Sequence, residues 1–148
     1  MDRTGSTELT FSPTIDTKVL REAGIGFSST YTILPGFCDV HVHLREPGFS
    51  SKETIGTGSK AAARGGYTAV CTMPNLDPVS DSPEHLKMQQ DIIDRDACIH
   101  VYPYAAITVG QKGEQLADLA GMADGCIAFS DDGHGVQSDD MMREAMLK

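Results

Sequence analysis

Two histidines, His41 and His43, stand two residues apart. On an extended strand, side chains at i and i+2 leave the same face. Both imidazoles can then reach one metal ion at the strand's carboxyl end. Two neutral imidazoles suit Zn²⁺ or a similar borderline ion. The alternative is a structural pair, but burying two unpartnered imidazoles is costly. The run Arg45-Glu46-Pro47-Gly48 that follows favours the metal reading. Arg45 keeps the same parity if the extended geometry persists that far.

A pair of carboxylates, Asp131 and Asp132, follows Phe129-Ser130 and precedes Gly133. Either could ligate a metal or act as a general base. Taken alone, Asp-Asp-Gly reads first as a turn beside a helix cap. Asn75 follows Pro74; it is a turn residue or a substrate contact. His85 falls on an expected helix and is expected in solvent. His100 falls at the start of an expected strand, the wrong end for such a site. His134 lies in a loop near Asp132. Gly110-Gln111-Lys112-Gly113 has neither of the common phosphate-loop spacings.

These residues need a frame. Residues 33–43, 67–73, 98–107 and 126–130 are β-rich apolar runs. Helical stretches separate them. Ser50 and Glu53 have capping-box spacing, which predicts a helix from there to Arg64, stopped by Gly65-Gly66. Ser82-Pro83 reads as an N-cap with proline at the first helical position, and that helix runs to about Arg95. Leu116, Leu119, Ala120 and Ala123 predict a third helix over 114–123. A fourth begins near Ser138 or Asp139, carries Met141, Met142 and Met146 on an apolar side, and is expected to run on past Lys148. The strands are continuous apolar runs, as in a parallel sheet covered on both faces. Two architectures fit: an open doubly wound sheet, or the first four units of a (β/α)8 barrel, which needs ~250 residues in full. In either, His41, His43, Asn75 and Asp132 collect at the carboxyl edge of the sheet.

The 148 residues allow one ordinary domain. Residues 1–31 show poor apolar periodicity and read as a leader, with one short helix over 17–23; the domain proper is 32–148. Twelve Lys+Arg against 21 Asp+Glu give a net charge of −9. No basic stripe offsets that excess, which argues against nucleic-acid binding. Neither a polybasic cluster nor a long apolar run points to a membrane. No apolar signal core opens the sequence, so a cytoplasmic location is expected. Cys38, Cys71, Cys98 and Cys126 form no Cys-x-x-Cys pair and are expected as reduced, buried thiols.

The run Asp39-Val40-His41-Val42-His43-Leu44-Arg45-Glu46-Pro47-Gly48 closely resembles the signature of dihydroorotases, metal-dependent (β/α)8 barrels of the amidohydrolase superfamily. Lys52-Glu53-Thr54, Ala61 through Thr68, Met73-Pro74-Asn75 and Phe129 through Gly133 match the same family in order and spacing. The resemblance covers roughly residues 34–148, the N-terminal half of such a barrel. It implies that His41 and His43 ligate a first metal, that Asp132 rather than Asp131 bridges two metals, and that the ions are zinc, two in the complete enzyme. It implies that Arg45 and Asn75 grip the substrate carboxylate, for which a planar guanidinium is suited. The implied reaction is the reversible hydrolysis of dihydroorotate to N-carbamoyl-aspartate in pyrimidine biosynthesis. Hydantoinases and allantoinases, the neighbouring cyclic-amide hydrolases, typically bridge their metals with a carboxylated lysine on strand four. No lysine lies between Lys112 and Lys148.

The family's further His ligands and its general-acid Asp come from later strands. The isolated chain is therefore expected to be inactive and to self-associate or pair with a C-terminal half. The alternatives are a non-catalytic scaffold or partner module of the same fold, or another cyclic-amide hydrolase of the allantoinase or hydantoinase kind.

Overall fold

A computed structural model describes residues 34–148, together with Lys18, Glu22 and Gly24. The chain divides into two compact units, Met1–Pro35 and Gly36–Lys148. Most of the short helix expected over 17–23, and the first residue of the strand expected over 33–43, lie outside the described residues.

Four strands form one parallel sheet in the order β1-β2-β3-β4. They are β1 (Phe37–Val42), β2 (Tyr67–Thr72), β3 (His100–Ala105) and β4 (Ala128–Phe129). Helices α1 (Ile55–Arg64), α2 (Pro83–Asp96), α3 (Leu119–Met122) and α4 (Asp139–Met146) alternate with them. Successive strands are neighbours, so the sheet is part of a barrel wall.

Sequence chemistry accounts for most boundaries. Ser82 caps α2 by accepting from the His85 N–H, and Pro83 occupies the first turn, where its missing N–H is not needed. Gly65 terminates α1. Ser138 caps α4, and Asp139 and Asp140 sit in its first turn against the positive end of the helix dipole.

Other boundaries differ from expectation. Helix α1 begins at Ile55, with Thr54 as its cap and Thr57 completing the reciprocal pair. Ser50 instead donates to Glu46. The helix expected over 114–123 shrinks to α3. Residues 115–117 are drawn into backbone pairing with the loop after β3: Val109 N–H donates to Gln115, and Ala117 N–H to Ile107. Tertiary pairing overrides the helical spacing. Ala117, Leu119 and Met122 are buried, while Ala120 and Ala123 are exposed. Helix α4 ends at Met146, before the last two residues.

Two apolar clusters lie between sheet and helices. Leu44, Ile55, Val70 and Val101 form one, and Leu86, Ala105, Ala117, Leu119 and Met122 the other. Along β3, Val101, Pro103 and Ala105 are buried while His100 and Tyr102 are exposed, so one face of this strand meets the helices and the other does not. Full burial of Ile55 or Val70 contributes about 1.5–3 kcal/mol each. Buried Ser59 of α1 accepts from the Cys98 N–H and ties the α2–β3 loop to that helix.

The cysteines are free, but only Cys71 is buried, against the expectation of burial for all four. Cys38 and Cys98 are exposed and Cys126 is intermediate. Cys38 lies on β1, an edge strand of the described sheet, which leaves it uncovered.

Candidate metal centre

The parallel sheet brings the carboxyl ends of its strands to one edge. His41 lies on β1, His43 just past it, Asn75 in the loop after β2, and Asp132 in the loop after β4. The two imidazole rings stand 5.4 Å apart, edge to face.

Both imidazoles direct Nε2 at Asp132. His41 Nε2 lies 3.4 Å from Oδ1, and His43 Nε2 lies 3.5 Å from Oδ2. These separations exceed the usual hydrogen-bond range of about 2.7–3.2 Å. They do match the edge of a tetrahedron around an ion with bonds of ~2.0–2.1 Å, an edge of about 3.3–3.4 Å. The donor set, two imidazole nitrogens and a carboxylate, is one a zinc-like ion accepts. Among the described residues, His41, His43 and Asp132 form the one cluster of His, Cys, Asp or Glu side chains able to hold a metal.

Asn75 joins the cluster through both ends of its amide. Oδ1 lies 3.0 Å from His43 Nδ1, and Nδ2 donates to Asp132 Oδ2 at 3.2 Å. The loop that carries Asn75 is packed onto the loop after β1. Gly48 adopts φ +96°, and a Cβ there would meet the Asp77 carbonyl oxygen at 2.4 Å. Only glycine permits that approach. The Asp77 N–H donates to the Pro47 carbonyl across the same contact.

Asp131 takes no part in the cluster. It is 4% exposed. Its Oδ1 accepts from the Ile107 and Thr108 N–H groups, at 2.9 and 3.1 Å, and its Oδ2 accepts from the Thr108 hydroxyl. Thr108 Oγ1 accepts in turn from the Gly113 N–H. This clamp binds the end of β4 to the end of β3 and leaves Asp132 facing the histidines. The clamp is not legible in the sequence, because its donors belong to Ile107 and Thr108, more than twenty residues away.

Arg45 is not joined to the cluster. Regular strand geometry ends at Val42, and Arg45 has φ +60°, so the parity argument fails at that residue. Its carbonyl accepts from the Phe49 N–H to form a turn. Among the described residues its guanidinium has no hydrogen-bond or ion-pair partner.

The remaining histidines are elsewhere. His100 opens β3, at the other end of the sheet, and stacks on Tyr102 at 6.1 Å. His85 is not simply solvated, since its Nδ1 lies 2.7 Å from Asp81 Oδ1. The backbone N–H of His134 donates to the Asp131 carbonyl. His134 also lines an open cleft of ≈ 420 Å³ with Ile107, Phe129, Asp131, Asp132 and Met142. Among the described residues no cysteine joins the cluster; burial pushes the Cys71 thiol up, with neighbouring Cys38 and Asp39 adding to the effect. Burial likewise raises Tyr104, whose hydroxyl donates to the Val40 carbonyl.

Comparison with known proteins adds to this geometry. The model of the family described as dihydro-orotase-like matches residues 30–148. A dihydroorotase of Fusobacterium nucleatum is 56% identical over 115 residues, covering 78% of this chain and 27% of that protein. A dihydroorotase of Staphylococcus aureus strain Mu50 is 56% identical over 117 residues, 78% of this chain and 28% of that protein. The chain thus spans little more than a quarter of the length of these relatives. Among solved structures, an L-hydantoinase (dihydropyrimidinase) from Arthrobacter aurescens superposes with a TM-score of 0.63 at 21% identity, over 75% of this chain and 26% of that one. That likeness concerns the fold.

Proposed function

The chain belongs to the dihydro-orotase-like family, and on that premise we propose that it forms part of a metal-dependent cyclic amidohydrolase acting on dihydroorotate and N-carbamoyl-aspartate. One observation carries the reading. The Nε2 atoms of His41 and His43 converge on one carboxylate, Asp132, at 3.4 and 3.5 Å.

His41, His43 and Asp132 are the proposed ligands, with zinc the proposed ion and two ions in the complete enzyme. When bound, the ions supply Lewis-acid polarisation of the ring amide carbonyl and acidify water at neutral pH. The protein's own residues do the rest. Arg45 is proposed to take the substrate carboxylate, and its guanidinium has no competing partner among the described residues. Local capture of this kind matters because a net charge of −9 repels an anionic substrate at a distance. Asn75 is the proposed second contact. Residues 32–148 are the proposed barrel portion.

Three donor side chains cannot fill two four-coordinate ions. The proposed general acid for the leaving nitrogen is also outside the chain's assigned residues. We therefore propose that the 148 residues alone bind metal without turnover. A cytoplasmic site of action follows the same reading, since four free thiols suit a reducing compartment. No helix among the described residues is long and apolar enough to cross a membrane.

The test supplies the missing portion in trans, as the unmatched segment of the Staphylococcus aureus relative, with Zn²⁺ and dihydroorotate. Turnover by the mixture, absent with His41→Ala or His43→Ala, is the expected result. Turnover by the purified chain alone would overturn the ligand-count argument. A biological role that survives both substitutions would favour the scaffold alternative.

A further inference from the structure

Asn75 touches two of the proposed ligands at once. It reaches His43, 32 residues earlier in the chain, and Asp132, 57 residues later. The orientation of an amide follows from its partners. The Asp132 carboxylate only accepts hydrogen bonds, so the NH₂ end of Asn75 must face it. The carbonyl end then faces His43 Nδ1 at 3.0 Å. A carbonyl also only accepts, so Nδ1 must carry a proton. In a neutral imidazole that leaves the lone pair on Nε2. Nε2 is the atom directed at Asp132 from 3.5 Å.

We propose that Asn75 is a positioning residue of the metal centre. It holds His43 in the Nδ1–H tautomer, with Nε2 free to ligate, and it fixes the carboxylate plane of Asp132. One amide from the loop after β2 thereby couples ligands from the ends of β1 and β4. The inference rests on the metal-binding reading of His41, His43 and Asp132. It is distinct from a substrate contact, and compatible with one. The amide has two N–H donors, one of which goes to Asp132, and the second is available to a substrate carboxylate.

Groups that orient a metal ligand typically change metal affinity 10–100-fold when removed. A residue that contacts only substrate leaves metal affinity unchanged. The experiment titrates Zn²⁺ and Co²⁺ into the 148-residue chain and into Asn75→Ala, without substrate. Imidazole ¹⁵N spectra of the metal-free wild type above pH 7.5 accompany it. The expected results are a 10–100-fold weaker affinity in Asn75→Ala, and a neutral His43 in the Nδ1–H form in the wild type. Asn75→Ala affinity within twofold of wild type would overturn the proposal. Should that variant fail to fold, the wild-type spectrum decides, because an Nε2–H form of His43 contradicts the assigned amide orientation. A wild-type chain that binds neither ion overturns the metal reading itself, and His41→Ala serves as the non-binding reference for that outcome.

Discussion

Asp131 and Asp132 are adjacent in sequence and face opposite ways. Asp131 is buried and accepts from the backbone of Ile107 and Thr108. Asp132 accepts from Asn75 and lies opposite both histidines. The first carboxylate holds β4 to β3, and the second is presented at the sheet edge by that attachment.

Substituting the two should therefore separate stability from metal binding. Asp131→Ala leaves three donors without their acceptor. Each unsatisfied buried group costs about 1–3 kcal/mol, and partial relaxation brings the expected total loss to about 2–4 kcal/mol. Asp132→Asn should change stability by less than about 1 kcal/mol yet weaken Zn²⁺ binding at least tenfold. Urea unfolding midpoints and metal titrations on both variants check this. Equal stability losses would mean that the two carboxylates do not divide the work in this way.

Much of this arrangement is legible in the sequence, for local reasons. The β/α alternation shows as apolar runs between capped helices. The convergence of His41, His43, Asn75 and Asp132 follows from their places at strand ends in a parallel sheet. What is not legible depends on distant partners. The 114–123 segment has helical spacing, but Gln115 and Ala117 pair with the backbone of Val109 and Ile107 instead. Asp131 reads as a turn residue until Thr108 is seen beside it. Arg45 has strand parity until a left-handed backbone interrupts it.

The start of α1 gives a local case with a measurable consequence. Ser50 and Glu53 have the capping-box spacing, yet Thr54 and Thr57 form the cap. The Thr54 hydroxyl accepts from the Thr57 N–H at 2.9 Å. Glu53 accepts from the Thr54 N–H at 2.9 Å. Thr54→Ala should lower stability by about 0.5–2 kcal/mol, while Ser50→Ala, which removes only an exposed contact to Glu46, should stay within about 0.5 kcal/mol. Denaturant midpoints of the two variants distinguish the caps. A larger loss from Ser50→Ala would relocate the helix start.

The thiols should divide by environment. Burial raises Cys71 and Cys126 above the ordinary thiol value of 9.0. Each therefore holds its proton more tightly in the folded chain than in the unfolded one. Between those two values the native state binds more protons, so stability falls as pH rises. The contribution is intact below about pH 9 and is lost from there towards the folded value. Urea midpoints from pH 8 to 10.5 should decline, and less steeply in Cys71→Ala. At pH 7.5, exposed Cys38 and Cys98 should react first with a thiol reagent. Faster labelling of Cys71 than of Cys38 would contradict the assigned burial.

The sheet also bears on the behaviour of the isolated chain. Among the described residues, β1 and β4 are each paired on one side only. Val40 on β1, Tyr102 on β3 and Ile127 beside β4 are 62%, 42% and 53% exposed. Unpaired strand edges next to exposed apolar side chains favour association. Charge opposes it, since a net −9 keeps copies apart at low ionic strength. Screening shortens that repulsion to about 8 Å at physiological salt, whereas apolar burial is not weakened by salt. Association should therefore grow with both protein concentration and added NaCl. Sedimentation velocity across a concentration series at two salt levels reads this directly. Val40→Thr with Ile127→Thr should shift the equilibrium towards monomer. A wild-type chain that stays monomeric at every concentration and both salt levels would show that these edges and side chains do not drive association.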